Sequence, residues 1–268
     1  MSKLPISSVS YLWNTESGGH PWVESLSVLL SHCEEAVVID CQSDDGTERL
    51  LKEWASIEPR LKLFYAKRPE NSRELADRIN YGVEKASQPI VLQISMDEVI
   101  DLGDMSKEVW ESAFARMMSE EITIGRFHRL DYVCSARYET PIFPIGYWTK
   151  RMFARKWYPK VHSGGDGGEF RSPTDSGSVL FLWPKIMHYM GLRTEEHFKR
   201  VKYDFQKLYH DVKLEPDEKL RGGYKVALQK VVHKARKSTA PHPPAIMPWL
   251  IRSDMFLKDY LAEEMEGK

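Results

Sequence analysis

The stretch Ala36-Val37-Val38-Ile39-Asp40, followed by Cys41-Gln42-Ser43-Asp44-Asp45-Gly46-Thr47, decides the fold of this chain. Its first residues form a short, continuous apolar run, which is typical of a strand buried on both faces of a sheet. The residues from Asp44 to Thr47 predict the turn that leads from this strand into a helix. A buried strand, a turn and a helix in this order are the repeating unit of a parallel α/β sheet, so the flanking sequence should repeat them.

The alternation of strand and helix signals extends in both directions from this stretch. Further strands are predicted at residues 6–13, 61–66 and 89–95. Pro21 opens a helix before the decisive strand, and Asn71 with Glu74 predicts a capping box at the start of a later helix. The apolar faces of the first two helices are predicted at Val23, Leu26, Leu29, Leu30 and Cys33, and at Leu50, Leu51, Trp54 and Ile57. This order predicts an α/β protein with a doubly wound, mostly parallel sheet.

The second half of the chain is less regular. A helix is predicted at 106–118, and strands are predicted at 121–133 and 179–183. The glycine- and aromatic-rich residues 141–178 are expected to form a loop region, and a further helix is predicted at 194–210. Beyond residue 216 we predict a basic helix (217–237), a proline-rich linker (241–244) and a short helix near Ser253. The predicted domains are therefore 1–212 and a basic helical C-terminal extension, 213–268.

Composition excludes several classes of protein. The chain has 268 residues, a formal net charge of -1 and three cysteines. Its apolar runs fall short of the ~20 residues that span a bilayer. Scattered cysteines without CxxC spacing argue against a disulfide framework and a cysteine zinc site, and they predict a reducing, cytoplasmic location.

Polar and acidic residues follow three of the predicted strands. They are Asn14 to Glu16, Asp40 to Asp45, and Asp97 with Glu98. Because ligands of open α/β sheets bind beyond the carboxyl ends of the strands, these loops predict the position of a site.

Taken in order, these segments resemble glycosyltransferase family 2, whose members have the GT-A fold. The matching stretches are Asn14-Thr15-Glu16, Asp40 with Ser43-Asp44-Asp45-Gly46-Thr47, Ser95-Met96-Asp97, and the segment His188-Tyr189-Met190-Gly191-Leu192-Arg193. The resemblance spans roughly residues 6 to 210. It implies an enzyme that transfers a sugar from a nucleotide-diphosphate donor, most often a UDP-sugar, with Mn²⁺ or Mg²⁺ as cofactor.

The resemblance also implies roles for individual residues. Asp97 would be the principal metal-contacting carboxylate, and His188 would be a further ligand. Asp40 would face the ribose or the base, and Glu16 with Asp45 would help to hold the nucleoside. The remaining residues expected on the donor side are Asn14, Ser43, Arg73, Asp77 and Ser95. Ser95 stands where the family usually has its first Asp, so the site has one carboxylate fewer unless Glu98 compensates.

Transfer with inversion, which is usual in the family, needs a general base near the acceptor hydroxyl. The candidates are Asp166 first and Glu169 second, since glycines around these two carboxylates allow a substrate to approach closely.

Two basic segments, 150–160 and 219–237, predict a surface for a polyanionic acceptor or for an anionic membrane surface. The acceptor could be a bacterial envelope glycan or a nucleic acid, such as a modified base in viral DNA. Solvated surface charge is the plainer interpretation of both segments.

Other interpretations also remain open at this point. Asp44 to Thr47 could simply be a capped turn, and His188 could be a structural histidine. Trp148 and Trp183 could stack on a sugar or could simply pack. Two alternative functions are a sugar nucleotidyltransferase and a non-catalytic sugar- or nucleic-acid-binding module with a degenerate donor site.

Overall fold

The computed structural model describes residues 3–119, 124–133, 135–140, 147–155, 162–163, 170–171, 179–191, 236–238 and 240–252. The strands are β1 (Leu4–Leu12), β2 (Cys33–Asp40), β3 (Leu61–Tyr65), β4 (Ile90–Gln93), β5 (Glu98–Ile100), β6 (Ile124–Val133), β7 (Ser135–Thr140), β8 (Tyr147–Ala154), β9 (His162–Ser163), β10 (Phe170–Arg171), β11 (Val179–Gly191) and β12 (Arg236–Lys237). The helices are α1 (Trp22–His32), α2 (Thr47–Ile57), α3 (Ser72–Lys85), α4 (Lys107–Met118) and α5 (Met247–Arg252). The predicted α/β fold is confirmed.

One sheet organises the molecule. Strands β3, β2, β1 and β4 lie side by side and run parallel. The sheet continues with β8, β6 and β7 as antiparallel neighbours. Strand β11 pairs in parallel with β6 along much of its length, and its residues Ile186–His188 pair antiparallel with β5. The carboxyl ends of β1, β2 and β4 therefore meet at one edge of the sheet.

Helices cover both faces of the parallel half, as a doubly wound sheet requires. Val38 points into a core built with apolar residues of α1, α2 and α4. Its neighbours Val37 and Ile39 point the other way, into a core built with α3. Gly82 lets α3 approach the sheet closely, since a Cβ atom there would stand 2.6 Å from Val9 Cγ1.

The helices predicted within the described residues are present, with corrections at single positions. Asn71 caps α3 by accepting a hydrogen bond from the Glu74 backbone N–H at 2.9 Å. Ile57, predicted on a buried face, is 81% exposed because it is the last residue of α2. Val23 is also exposed, and Cys33 belongs to β2 rather than to the first helix.

The expected loop region 141–178 contains sheet structure, so this part of the prediction is wrong. Strand β8 inserts between β4 and β6, where Val91 pairs with Phe153 and Phe127 pairs with Thr149. Strand β8 was not predictable from periodicity, because its residues Tyr147–Ala154 (YWTKRMFA) do not alternate between apolar and polar.

The C-terminal residues 240–252 pack against the sheet instead of linking separate parts. Ile246, Trp249 and Leu250 are buried with Tyr132 and Tyr189 in a third apolar cluster. The predicted helix at 194–210 and residues 217–235 of the predicted helix at 217–237 lie outside the described residues, so the domain boundary at 212 stays a prediction. The predicted end of the second helix is wrong, since Arg236–Lys237 is strand β12 and pairs with β7. None of the described helices is long and apolar enough to cross a membrane.

Candidate functional site

The loops after β1 and β2 are joined by a set of hydrogen bonds that we call the loop clamp. The Asn14 side chain donates to Asp44 Oδ1 at 2.6 Å and accepts from the Asp44 backbone N–H at 2.8 Å. Asn14 itself has a left-handed backbone, with φ of 48°, which asparagine tolerates better than most residues. Its backbone N–H donates to Ser43 Oγ at 2.9 Å. Asn14 and Ser43, predicted on the donor side, thus fix the relative position of the two loops.

Asp45 completes the loop clamp from the start of α2. Its carboxylate accepts from the Ser17 backbone N–H at 2.7 Å and from Thr47 Oγ at 2.6 Å. The Thr47 hydroxyl in turn accepts from the Glu16 backbone N–H at 3.0 Å. These contacts show a hydrogen-bonded turn, but the N-cap position of α2 is Gly46, which makes no side-chain cap. These hydrogen bonds also account for the lowered pKa of Asp45: they outweigh burial, which alone would raise it.

Asp40 stands behind the clamp at the end of β2 and is 1% exposed. Its Oδ2 atom accepts a hydrogen bond of 3.3 Å from the Ser43 backbone N–H. Its Oδ1 atom is buried and has no hydrogen-bond partner among the described residues. Burial raises the pKa of Asp40. A buried carboxylate oxygen without a donor is costly, and a ligand hydroxyl or N–H would remove that cost.

The other residues expected on the donor side are more exposed. The Glu16 side chain is at the surface and accepts a hydrogen bond of 3.2 Å from Trp22 Nε1. Arg73 and Asp77 are exposed one turn apart at the beginning of α3. Ser95 is half-buried just after β4.

The loop after β4 meets β11 in a second cluster of charged groups. His188 Nε2 lies 3.3 Å from Asp97 Oδ2, and His188 Nδ1 lies 2.5 Å from Asp131 Oδ1. The backbone N–H of Tyr189 donates to Asp97 O at 2.9 Å and holds the loop against the strand. The two residues predicted to bind metal, 91 positions apart, are brought together.

The electrostatics of this cluster follow from its two carboxylates. Burial alone would lower the pKa of His188, but Asp97 and Asp131 outweigh it and raise that pKa to about 9. The raised pKa favours the protonated imidazole at neutral pH, and binding of a metal ion at Nε2 would release that proton.

Glu98 does not replace the carboxylate that Ser95 lacks. It is 1% exposed, and its Oε1 atom accepts a hydrogen bond of 2.6 Å from Arg151. Its Oε2 atom accepts from the Ser95 backbone N–H at 3.0 Å. Arg151 also donates to Gln93 Oε1. Glu98 is thus a buried structural partner that shapes the loop on which Asp97 stands.

The side chains of this cluster provide some, but not all, of the ligands that a divalent cation requires. Among the described residues there is no group of three or more His, Cys, Asp or Glu side chains placed to hold a metal ion. Asp97 and His188 would supply two ligands, and Mg²⁺-type sites commonly combine one or two protein ligands with phosphate oxygens and water. The contact between His188 Nδ1 and Asp131 is the usual arrangement behind a metal-bound histidine.

The remaining predictions fall partly or wholly outside the described residues. Asp166 and Glu169, the candidate bases, lie there, as does most of the basic segment 219–237. In segment 150–160, Arg151 is wrong as a surface contact, since it is buried against Glu98 and Gln93. Lys150 is half-exposed and keeps its predicted surface position.

Sequence reasoning missed Asp131 and Arg129, and it assigned Arg151 to the surface rather than to the buried pair with Glu98. Arg129 lies 3.2 Å from Asp131 and 3.8 Å from Glu98, so it connects the two carboxylates. No motif marks these residues, because their meaning depends on the pairing of His188 with Asp131 across β11 and β6.

The sequence matches no protein-family profile. Over 213 residues, the chain is 28% identical to the lipopolysaccharide core biosynthesis glycosyltransferase LpsC of Rhizobium meliloti (strain 1021). The similarity covers 76% of this chain and 72% of LpsC. The chain is a relative of a glycosyltransferase. The predicted resemblance to glycosyltransferases and the predicted class of enzyme are thereby confirmed.

Two solved glycosyltransferases have a looser similarity. The mannosyltransferase PcManGT of Pyrobaculum calidifontis, in complex with GDP-Man and Mn²⁺, is 13% identical, with a TM-score of 0.46 and coverage of 99% of this chain and 73% of PcManGT. S. aureus TarS in complex with UDP-GlcNAc is 12% identical, with a TM-score of 0.43 and coverage of 93% of this chain and 79% of that chain.

Proposed function

We propose that this chain is a metal-dependent glycosyltransferase that moves a sugar from a nucleotide-diphosphate donor, a UDP-sugar, to a hydroxyl of a bacterial envelope glycan. One observation carries the proposal. Asp97 and His188 meet at the carboxyl edge of the sheet, and Asp131 holds the far side of the imidazole. This edge is where ligands of open α/β sheets bind.

The donor nucleoside would lie in the neighbouring part of the same edge. The Oδ1 atom of Asp40 is buried and accepts no hydrogen bond from the described residues. It could accept a hydrogen bond from a ribose hydroxyl or from an N–H group of the base. The hydrogen bonds of the loop clamp would hold the loops after β1 and β2 in place beside the nucleoside, and not every residue of the clamp would contact the nucleotide. Glu16, Arg73, Asp77 and Ser95 remain proposed donor contacts at its rim.

A divalent cation, Mn²⁺ or Mg²⁺, would be held by Asp97 and His188. When bound, it would compensate the negative charge of the departing diphosphate. The work of this chain is to fix the two ligands: Asp131 orients the imidazole, and the buried Glu98–Arg151 pair shapes the loop that carries Asp97. Ser95 leaves a ligand position for phosphate or water.

The proposed acceptor and the proposed general base are supported by different observations. LpsC is named for lipopolysaccharide core biosynthesis, which supports an envelope glycan over viral DNA as the acceptor. Asp166, and second Glu169, are our candidates for the base that takes the acceptor proton in an inverting transfer. We place the reaction in the cytoplasm.

The proposal is tested by calorimetry of the purified chain with UDP, GDP, CMP and their common sugars, with and without Mn²⁺. We expect one diphosphate to bind tightly only when Mn²⁺ is present. Asp97→Asn should weaken that binding by more than about 100-fold, since loss of an outer-shell partner alone can cost 10- to 100-fold.

The matched control is Glu53→Gln, which removes one carboxylate from the exposed face of α2. It should bind the donor like the parent protein. Tight nucleotide binding that ignores both Mn²⁺ and the Asp97 substitution would contradict the proposed metal site. No nucleotide binding under any condition would instead favour the non-catalytic binding module.

A further inference from the structure

The antiparallel half of the sheet carries a group of side chains that we call the aromatic–basic face: Arg126, His128, Trp148, Lys150, Phe181 and Lys185. Strand pairing places them together. Arg126 pairs with Lys150 and with Phe181 on its two sides, and His128 pairs with Trp148 and with Lys185. Directly paired residues point to the same side of a sheet, so these six side chains share one surface.

The aromatic members contact one another. The Trp148 ring lies 4.8 Å from the Phe181 ring and 5.5 Å from the His128 ring, measured between centroids. Phe181 is 57% exposed, and the adjacent Trp183 is 74% exposed. Large aromatic side chains displayed in this way on one surface mark a place of contact with something outside the protein.

The charged members are all basic. No ion pair involves Arg126, Lys150 or Lys185 in the described part of the chain. The exposed face of α2 differs, because there Arg49 and Lys52 are each 2.7 Å from a glutamate. An acidic side chain near the aromatic members is Glu108 of α4, which lines a cavity with Phe181 and Trp183. Basic groups that are not engaged in ion pairs favour an anionic surface.

The aromatic–basic face points away from the proposed metal site. Phe127, between Arg126 and His128, is buried in the core on the other side of the sheet. Asp131 and its partner His188 follow at positions that alternate to that other side. The face therefore does not contribute to the reacting groups, which argues against a role as the acceptor-sugar pocket.

We propose that the aromatic–basic face docks the enzyme on an anionic phospholipid surface. Tryptophan and phenylalanine insert at the level of the headgroups, and lysines and arginines next to them bind anionic lipid. The inference rests on the proposed function, in which the acceptor is a glycan of the bacterial envelope. A docked face directed away from the donor site leaves the nucleotide pocket open to solvent.

Sedimentation with lipid vesicles tests the docking. The purified full chain is mixed with vesicles of phosphatidylcholine alone, or of phosphatidylcholine with phosphatidylglycerol, without any nucleotide. We expect binding to the anionic vesicles only, weakened by salt. Lys150→Gln with Lys185→Gln should reduce the partition coefficient by at least about tenfold, because each basic group near the surface contributes about fivefold.

A second variant, Phe181→Ser with Trp183→Ser, should also lose vesicle binding. Arg126 is left intact because its Nε is buried. The matched control carries Arg49→Gln, Lys52→Gln and Ile57→Ser on α2, which removes similar charge and apolar surface elsewhere. We expect this control to bind vesicles like the parent protein.

Three outcomes would overturn the proposal: absence of binding to anionic vesicles, equal binding by all variants, or loss of transfer to a lipid-free acceptor sugar in the face variants. The last would mean that the face binds glycan. Because the vesicle assay needs no donor, failure of the docking leaves the proposed glycosyltransfer intact, and calorimetry with nucleotide would show this separately.

Discussion

The carboxylates that follow β2 and the carboxylate that follows β4 stand at the same edge of the sheet, yet their partners differ. Asp44 and Asp45 accept hydrogen bonds from a side-chain amide, a hydroxyl and backbone N–H groups nearby in the loop clamp. Asp97 meets an imidazole from a strand 91 residues later. Acidic residues whose hydrogen bonds are made within their own loops stabilise those loops. An acidic residue that contacts a histidine from a distant strand is a better candidate for binding a ligand.

The largest expected effect comes from the buried Glu98–Arg151 pair, which lies next to Asp97 in the second group. Arg151→Met should lower the free energy of unfolding by about 3–5 kcal/mol, because it removes the hydrogen-bonded cation of the buried Glu98 and leaves only Arg129, at 3.8 Å. Urea unfolding followed by tryptophan fluorescence measures this. The double variant Glu98→Gln with Arg151→Met should recover part of the loss. If Arg151→Met unfolds like the parent protein, the pair does not support the loop of Asp97.

An intermediate effect is expected from Asp131→Asn, which keeps the size of the side chain but removes its charge. Mn²⁺ affinity should fall about 10- to 100-fold, because the imidazole of His188 loses the group that orients it. Titration with Mn²⁺, followed by electron paramagnetic resonance, measures the affinity. Unchanged affinity would remove Asp131 from the metal site and leave it as a partner of Arg129 alone.

The smallest effect is expected in the loop clamp. Asp44→Ala should lower the free energy of unfolding by about 1–2 kcal/mol, since it removes the carboxylate that accepts from Asn14 Nδ2 while the backbone N–H at position 44 can still donate to Asn14 Oδ1. Donor affinity should fall while Mn²⁺ affinity stays the same, which calorimetry and Mn²⁺ titration show together. A matching loss of Mn²⁺ affinity would mean that the two groups of carboxylates form one site.

The parallel half of the fold was predictable because its signals are local. The composition of apolar runs such as 36–40 and 89–95 predicts strands, and the spacing of Asn71 and Glu74 predicts the start of a helix. The antiparallel half was less predictable. Strand β8 lies in a glycine-rich region, and its place between β4 and β6 depends on partners far away in sequence.

The candidate site, like the fold, was predictable from the sequence only in part. Motif order was enough to single out Asp40, Asp97 and His188 as residues to watch, and the structure brings Asp97 and His188 within 3.3 Å. It was not enough to reveal that Glu98 is buried with Arg151 or that Asp131 stands behind His188. Those facts depend on which faces of β6, β8 and β11 meet.

By itself, the sequence determined the alternation of strands and helices, the edge at which the polar loops gather, and the kinship with glycosyltransferases. These follow from periodicity, turn chemistry and residue order, which act over a few positions. Only the tertiary structure decided which carboxylates are already satisfied and which face the site. That choice depends on strand register, because a shift of one residue would send every side chain of β11 to the opposite face of the sheet.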